Sequence, residues 1–132
     1  RYESSAASDV YKRQIINILK FVFLEKGLMM AIARVSSFDF TTPESMRNAL
    51  QRYREEREKI FPHLELSMCV NTGPSSFVDI AVYPNQKMAD SNKEARQKFH
   101  DDVFGASLKD EFFYEGDIDY FYQSEHFKKL SF

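Results

Sequence analysis

The stretch Leu64–Tyr83, LELSMCVNTGPSSFVDIAVY, constrains the fold of this chain more than any other. Leu64, Leu66, Met68 and Val70 fall on one side of it, with Glu65, Ser67 and Cys69 on the other. In its second half Val78, Ile80 and Val82 share a side, and Phe77, Asp79, Ala81 and Tyr83 share the opposite one. Successive side chains of a strand point to opposite faces, so this is period-two patterning with one strongly apolar face. Asn71, Gly73 and Pro74 interrupt both runs and supply turn residues, predicting a hairpin with a loop of several residues.

The flanks add one helix and one strand each. Met30–Phe40 (MAIARVSSFDF) alternates as a strand. Thr41-Thr42-Pro43-Glu44 then announces a helix, through a Thr42 cap with Pro43 at the first helical position or a Thr41–Glu44 capping box. Met46, Leu50, Tyr53, Arg57 and Ile60, with Ala49 beside them, recur at helical spacing as far as Phe61-Pro62. The charged run Arg52–Lys59 is its solvated side, with Glu55 and Lys59 spaced to pair. Beyond the hairpin, Pro84-Asn85 ends the strand, and a second helix is predicted over 86–103. Met88, Asn92, Ala95, Phe99 and Val103 line its inner face, and Gly105 closes it. Glu111–Gln123 is aromatic and strand-like with a break at Gly116-Asp117, and Ser124 caps a short final helix with Phe127 and Leu130 inward.

The order β-α-β-β-α-β is the split βαβ arrangement of the ferredoxin-like α+β fold, an antiparallel four-stranded sheet ordered 4-1-3-2 with both helices on one face. The faces Ala31/Ala33/Val35, Leu64/Leu66/Met68 and Val78/Ile80/Val82 are expected to meet the helices. The other face then carries Ile32, Arg34, Ser36, Ser67, Cys69, Phe77, Asp79 and Tyr83, an apolar and aromatic patch that marks a partner surface.

At 132 residues with 43% apolar content the chain suffices for one domain with a real core. A formal charge of −2 argues against a nucleic-acid partner. The single cysteine, Cys69, rules out an intramolecular disulfide and a Cys-rich zinc site. No membrane span is legible, and a cytoplasmic bacterial protein is expected. Residues 1–14, RYESSAASDVYKRQ, resemble the conceptual translation of a sequencing adapter and are set apart from the fold, a disordered N-terminus having the same consequence. Within Ile15–Leu28 the apolar core Ile15–Leu24, interrupted by Lys20, is too short to span a bilayer, and no small-residue cleavage site follows. Glu25-Lys26-Gly27 before Met29-Met30 fits purine-rich codons resembling a ribosome-binding site, so residues 1–28 are expected to be leader. The domain would then start at Met29 or Met30 and cover 29–132. That leaves 104 residues with thirteen basic against seventeen acidic, a net charge of −4.

Met30–Tyr122 resembles the dimeric α/β-barrel superfamily, which includes antibiotic-biosynthesis-type monooxygenases and stress-responsive barrel proteins. The matching features are the length of about a hundred residues, the element order, the hairpin Leu64–Tyr83, and Tyr83-Pro84 entering a helix with Met88-Ala89-Asp90. The resemblance implies a homodimer whose two sheets form a barrel, and a ligand pocket between sheet and helices. Haem-degrading members use a pocket Trp, which this chain lacks.

Arg34 and Asp79 lie on neighbouring strands with the same facing, either as a site for a polar ligand or as an ion pair fixing register. With Ser36 and Phe77 they are the candidate substrate-binding residues; His100 and Tyr83 are the candidate catalytic ones. His100-Asp101-Asp102 lacks the three- or four-residue spacing of a helical metal site. His63 at a helix end is expected to meet carbonyls rather than act as a base. Tyr83, Tyr114, Tyr120 and Tyr122 with Phe112, Phe113 and Phe121 are expected mostly to pack a core or dimer interface rather than line a pocket for an aromatic substrate. No metal or tightly bound cofactor is called for. Two functions fit: a cofactor-independent, monooxygenase-like enzyme acting on a small organic molecule, or a non-catalytic homodimer that binds one for sensing or storage.

Overall fold

The computed structural model describes residues 7–19 and 30–132, which divide into two units, Arg1–Met30 and Ala31–Phe132. In the first, residues 7–19 are helical and all exposed, Val10, Tyr11, Ile16 and Ile18 included. Local propensity accounts for this: the stretch has no Gly or Pro and holds Ala7, Lys12, Arg13 and Gln14. Residues 20–29, with Met29 as one of the two expected starts, lie outside the described residues.

In the second unit β1 (Ile32–Phe40) leads to α1 (Pro43–Ile60), β2 (Leu66–Gly73) and β3 (Ser76–Tyr83). Two short helices follow, α2 (Gln86–Ser91) and α3 (Lys93–Phe99), continued by a π-helical turn, His100–Phe104, and a 3-10 turn, Gly105–Ser107. Strand β4 (Leu108–Asp117) completes the sheet, and a last 3-10 turn covers Phe127–Lys129. The strand order is β2-β3-β1-β4 with every pair antiparallel. This is the ferredoxin-like α+β fold expected from the sequence.

The two faces of the sheet are the reverse of the expectation. Ile32, Ser36, Phe38 and Phe40 of β1 and Phe77, Ala81 and Tyr83 of β3 are buried. Val35, Val78, Ile80 and Val82 keep partial exposure, while Met68 and Val70 are 42% and 44% exposed. Alternation marks both faces of these strands as apolar, and volume decides between them. Phe38, Phe40, Phe77 and Tyr83 are the rings large enough to fill the gap between one sheet and its helices, whereas the valines and isoleucine make the flatter surface.

The core is accordingly aromatic. Phe38, Phe40, Phe61, Phe77, Phe99 and Phe104 gather with Met46 and Ala49, and Leu50, Tyr53 and Ile60 pack against them. Phe38 meets Phe104 edge-on at 5.1 Å and Phe40 stacks on Phe77 at 5.8 Å; such pairs add about 0.5–1.5 kcal/mol each beyond their burial. A smaller cluster joins Ile32, Ala81, Tyr83 and Ala89 at the other end of the sheet.

Local chemistry explains the remaining departures. Thr42 caps α1 with Pro43 behind it, but its capping box closes on Ser45 rather than through Thr41 and Glu44. The surface pair of that helix is Arg52–Glu56, where Glu55–Lys59 was expected. The hairpin turn is tighter than predicted: Asn71 stays in β2, and its Oδ1 accepts from the Gly73 N–H at a bulge. The helix expected over 86–103 breaks at Asn92, a residue disfavoured in helix interiors, and widens after Phe99. The final helix shrinks to one 3-10 turn, and Phe127 and Leu130 are 36% and 48% exposed rather than inward. Tyr114, Tyr120, Tyr122, Phe112, Phe113 and Phe121 are likewise exposed.

Candidate functional site

Between the aromatic face of the sheet and the helices lies a cavity of about 40 Å³. That is room for a few water-sized groups, well below the ~300–1,000 Å³ of a drug-sized ligand site. All six candidate residues line it: Arg34, Ser36, Phe77, Asp79, Tyr83 and His100. Pairing sets this convergence. Arg34 stands opposite Ala81, and Ser36 opposite Asp79, so inward positions on β1 and β3 meet in one layer.

Arg34 and Asp79 share that wall but do not form the expected ion pair. Arg34 Nη1 reaches Glu115 Oε2 at 3.4 Å, and its guanidinium lies 3.6 Å from the centre of the Phe113 ring. Its Nε is buried without a hydrogen-bond partner among the described residues. Burial, then the nearby charge of Arg96, holds Arg34 below its ordinary value. The Asp79 carboxylate accepts instead from Ser67 Oγ at 3.1 Å and from Cys69 Sγ at 3.4 Å, and Ser67 also meets the Tyr53 hydroxyl at 2.7 Å. Burial pushes Asp79 above the usual carboxylate range despite these donors. The Cys69 thiol is pushed up to about 12, by burial first and then by Asp79, so it is not a thiolate nucleophile at neutral pH.

His100 enters through the π-helical turn. A π turn holds more residues than an α turn and often marks a functional position; here it lets Phe99 stay in the core while the next residue, His100, lines the cavity. The imidazole stacks on Phe104, ring centres 4.8 Å apart, and meets the edge of Phe38 at 5.3 Å. Its Nδ1 lies 3.1 Å from Glu111 Oε1 on β4. Burial pulls its pKa down, Glu111 works against that, and Arg96 and Arg34 add to it. The ring is therefore neutral at pH 7, with Nδ1–H assigned to Glu111 and Nε2 left as the acceptor. Asp101 and Asp102 remain exposed. His63 is exposed too and does not line the cavity.

Tyr83 sits on the opposite side, almost fully buried, with its hydroxyl accepting from Arg96 Nη2 at 3.4 Å. Sequence reasoning missed Arg96, Glu111 and Glu115, and it treated Tyr53 as core alone. A signal existed for the first: Asn92, Arg96 and His100 recur every four residues, a stripe on one helical face. None existed for the two glutamates, whose roles depend on the β1–β4 register that sets Arg34 opposite Glu115 and Phe38 opposite Glu111.

Among the described residues no three His, Cys, Asp or Glu side chains gather to hold a metal ion, and no helix is long and apolar enough to cross a membrane.

No protein-family model matches the chain, and no curated protein sequence does. Solved structures do match in fold. A dimeric ferredoxin-like protein from an uncultured marine organism aligns with a TM-score of 0.57 at 12% identity, over 72% of this chain and 94% of that one. SnoaB, a cofactor-independent oxygenase from Streptomyces nogalater, gives 0.57 at 12% identity, over 69% and 95%. The ActVA-Orf6 monooxygenase of Streptomyces coelicolor, in complex with nanaomycin D, gives 0.58 at 10% identity, over 74% and 95%. The structural neighbours thus include dimeric ferredoxin-like proteins and antibiotic-biosynthesis-type monooxygenases, and at these identities the likeness establishes the fold alone.

Proposed function

We propose that this chain forms a homodimer through its open aliphatic sheet face and acts on a small organic molecule in the cavity beneath the helices. The convergence of Arg34, Asp79, Tyr83 and His100 on one aromatic-walled cavity carries the reading. Dimeric ferredoxin-like and oxygenase neighbours support its two halves.

The chemistry it suits is proton abstraction from an activated substrate, with no metal or tightly bound cofactor required. A neutral His100 is in the state of a general base. Glu111 orients the ring and stabilises the imidazolium once Nε2 has taken the proton, a base–orienter arrangement. The electron pair left on the substrate is stabilised by the Arg34 guanidinium, and dioxygen is the oxidant such a carbanion or enolate would reduce. Tyr83 and Ser36 position the substrate. A domain of 29–132, with the preceding residues as leader, belongs to the same proposal.

The size of the cavity favours a second reading, a non-catalytic dimer that holds a compact ligand. Native mass spectrometry of the gently purified protein, followed by dioxygen uptake with a panel of small acidic carbon compounds and simple phenols, separates the two. A dimer with turnover that His100→Gln abolishes supports catalysis. A dimer with bound small-molecule mass and no uptake supports storage or sensing. A bare monomer without uptake overturns both.

A further inference from the structure

We infer that the ligand of this cavity is a compact planar monoanion of the carboxylate class, held between the guanidinium groups of Arg34 and Arg96. The inference rests on the proposal that the cavity binds a small molecule, and it names the chemistry of that molecule.

The charge on the cavity wall is lopsided. Among the described residues its cationic groups are Arg34 and Arg96, and its one carboxyl is Asp79. Glu111 and Glu115 are not on the wall: the first faces His100 and the second Arg34 from β4. Asp79 is surrounded by hydroxyl and thiol donors rather than by a guanidinium, and its burial favours the acid form. Arg34 has only the long 3.4 Å contact to Glu115, and Arg96 has no carboxylate partner among the described residues, so an anionic ligand would lower the cost of holding both cations in one apolar pocket.

The geometry of Arg34 narrows the class. Stacking on Phe113 fixes the plane of the guanidinium, and Glu115 occupies one terminal nitrogen only, at a long 3.4 Å. The buried Nε–H has no acceptor among the described residues, and a buried donor left unmet is costly. A planar carboxylate accepts through two parallel oxygens, the shape a guanidinium fork matches best. Arg96 is just as lightly held, its one side-chain hydrogen bond among the described residues being the 3.4 Å contact to the Tyr83 hydroxyl. Phe38, Phe77 and Phe104 line the remainder of the wall and suit a short apolar tail. Room on the order of a few heavy atoms excludes a large acid.

The test is a nitrogen–proton correlation titration of the full chain with sodium acetate, with acetamide as the neutral match and phenol as a neutral aromatic, ionic strength held by chloride. Acetate is expected to shift the Arg34 Nε–H resonance saturably while acetamide does not, and Arg34→Gln or Arg96→Gln to weaken acetate binding tenfold or more. The wild-type Arg34 resonance reads the site directly, so the result does not depend on how a variant folds. Equal responses to acetate and acetamide, or acetate affinity unchanged in both variants, would overturn the inference. Phenol binding without acetate binding would overturn it while leaving the small-molecule proposal standing. No response to any of the three would overturn both.

Discussion

His100 Nδ1 lies 3.1 Å from Glu111 Oε1, so the widened end of the second helical region and the edge strand β4 meet at one proton-sharing contact. The partners are eleven positions apart in sequence and separated by the 3-10 turn Gly105–Ser107. The contact ties the cavity's histidine to the sheet and gives its protonation a structural consequence.

Burial depresses the His100 pKa and Glu111 opposes that depression, so Glu111→Gln is expected to lower it further. Following the imidazole carbon-bound proton by NMR against pH checks this; an upward shift would contradict it. The linkage sign follows. The unfolded chain takes up a proton at about 6.5 while the folded ring resists it. The His100 contribution to stability is whole above that pH and declines below it, down to the folded value. His100→Gln should therefore flatten the fall in Tm between pH 7 and pH 5.

Asp79 has the opposite sign. Its folded pKa is raised, so at low pH it helps stability, and it becomes a cost as pH rises through the folded value. Asp79→Asn keeps an oxygen that accepts from Ser67 and Cys69. Urea denaturation should show the variant more stable at pH 7 by about 1 kcal/mol, with the gain vanishing near pH 4. A loss at pH 7 would mean that the carboxylate is stabilised in place.

The aliphatic face of the sheet is the proposed dimer surface. Ile80 sits at its centre, opposite Val35 on one side and Met68 on the other. Ile80→Glu buries nothing polar in the core of its own protomer, so circular dichroism should be unchanged. Light scattering after gel filtration should give half the wild-type mass, with dimer affinity down a hundredfold or more. A dimer that survives would move the interface elsewhere.

Gly105 has a φ of 47° and a ψ of −135°, a backbone region closed to side chains. A Cβ there would meet nothing within 4 Å, so the cost of Gly105→Ala is conformational rather than steric contact. Thermal denaturation is expected to show a loss of about 1–3 kcal/mol. No change would place the strain elsewhere in the turn.

The strands and α1 were legible because their apolar residues repeat at fixed periods and Thr42-Pro43 marks a helix start. The orientation of the sheet was not. Both faces of β1 and β3 are apolar, so alternation cannot say which one meets the helices; only ring volume decides, as Phe38, Phe40 and Phe77 do. The candidate site was legible as far as Arg34, Asp79, Tyr83 and His100, polar groups at inward positions of otherwise apolar runs. The partners of Arg34 and His100 depend on β4, whose residues Glu111 and Glu115 look like any solvated charge until the register is known.

The π-helical turn has a further consequence. A regular helix advances about 100° per residue, so removing one residue from His100–Phe104 would bring that segment back to α periodicity and turn the side chains that follow the deletion, Phe104 of the cavity wall among them. The sheet would be untouched, since β4 begins only after Gly105–Ser107. One deleted codon here would therefore recast the helical side of the pocket, His100 or Phe104 with it, while the wall supplied by β1 and β3 stayed in place.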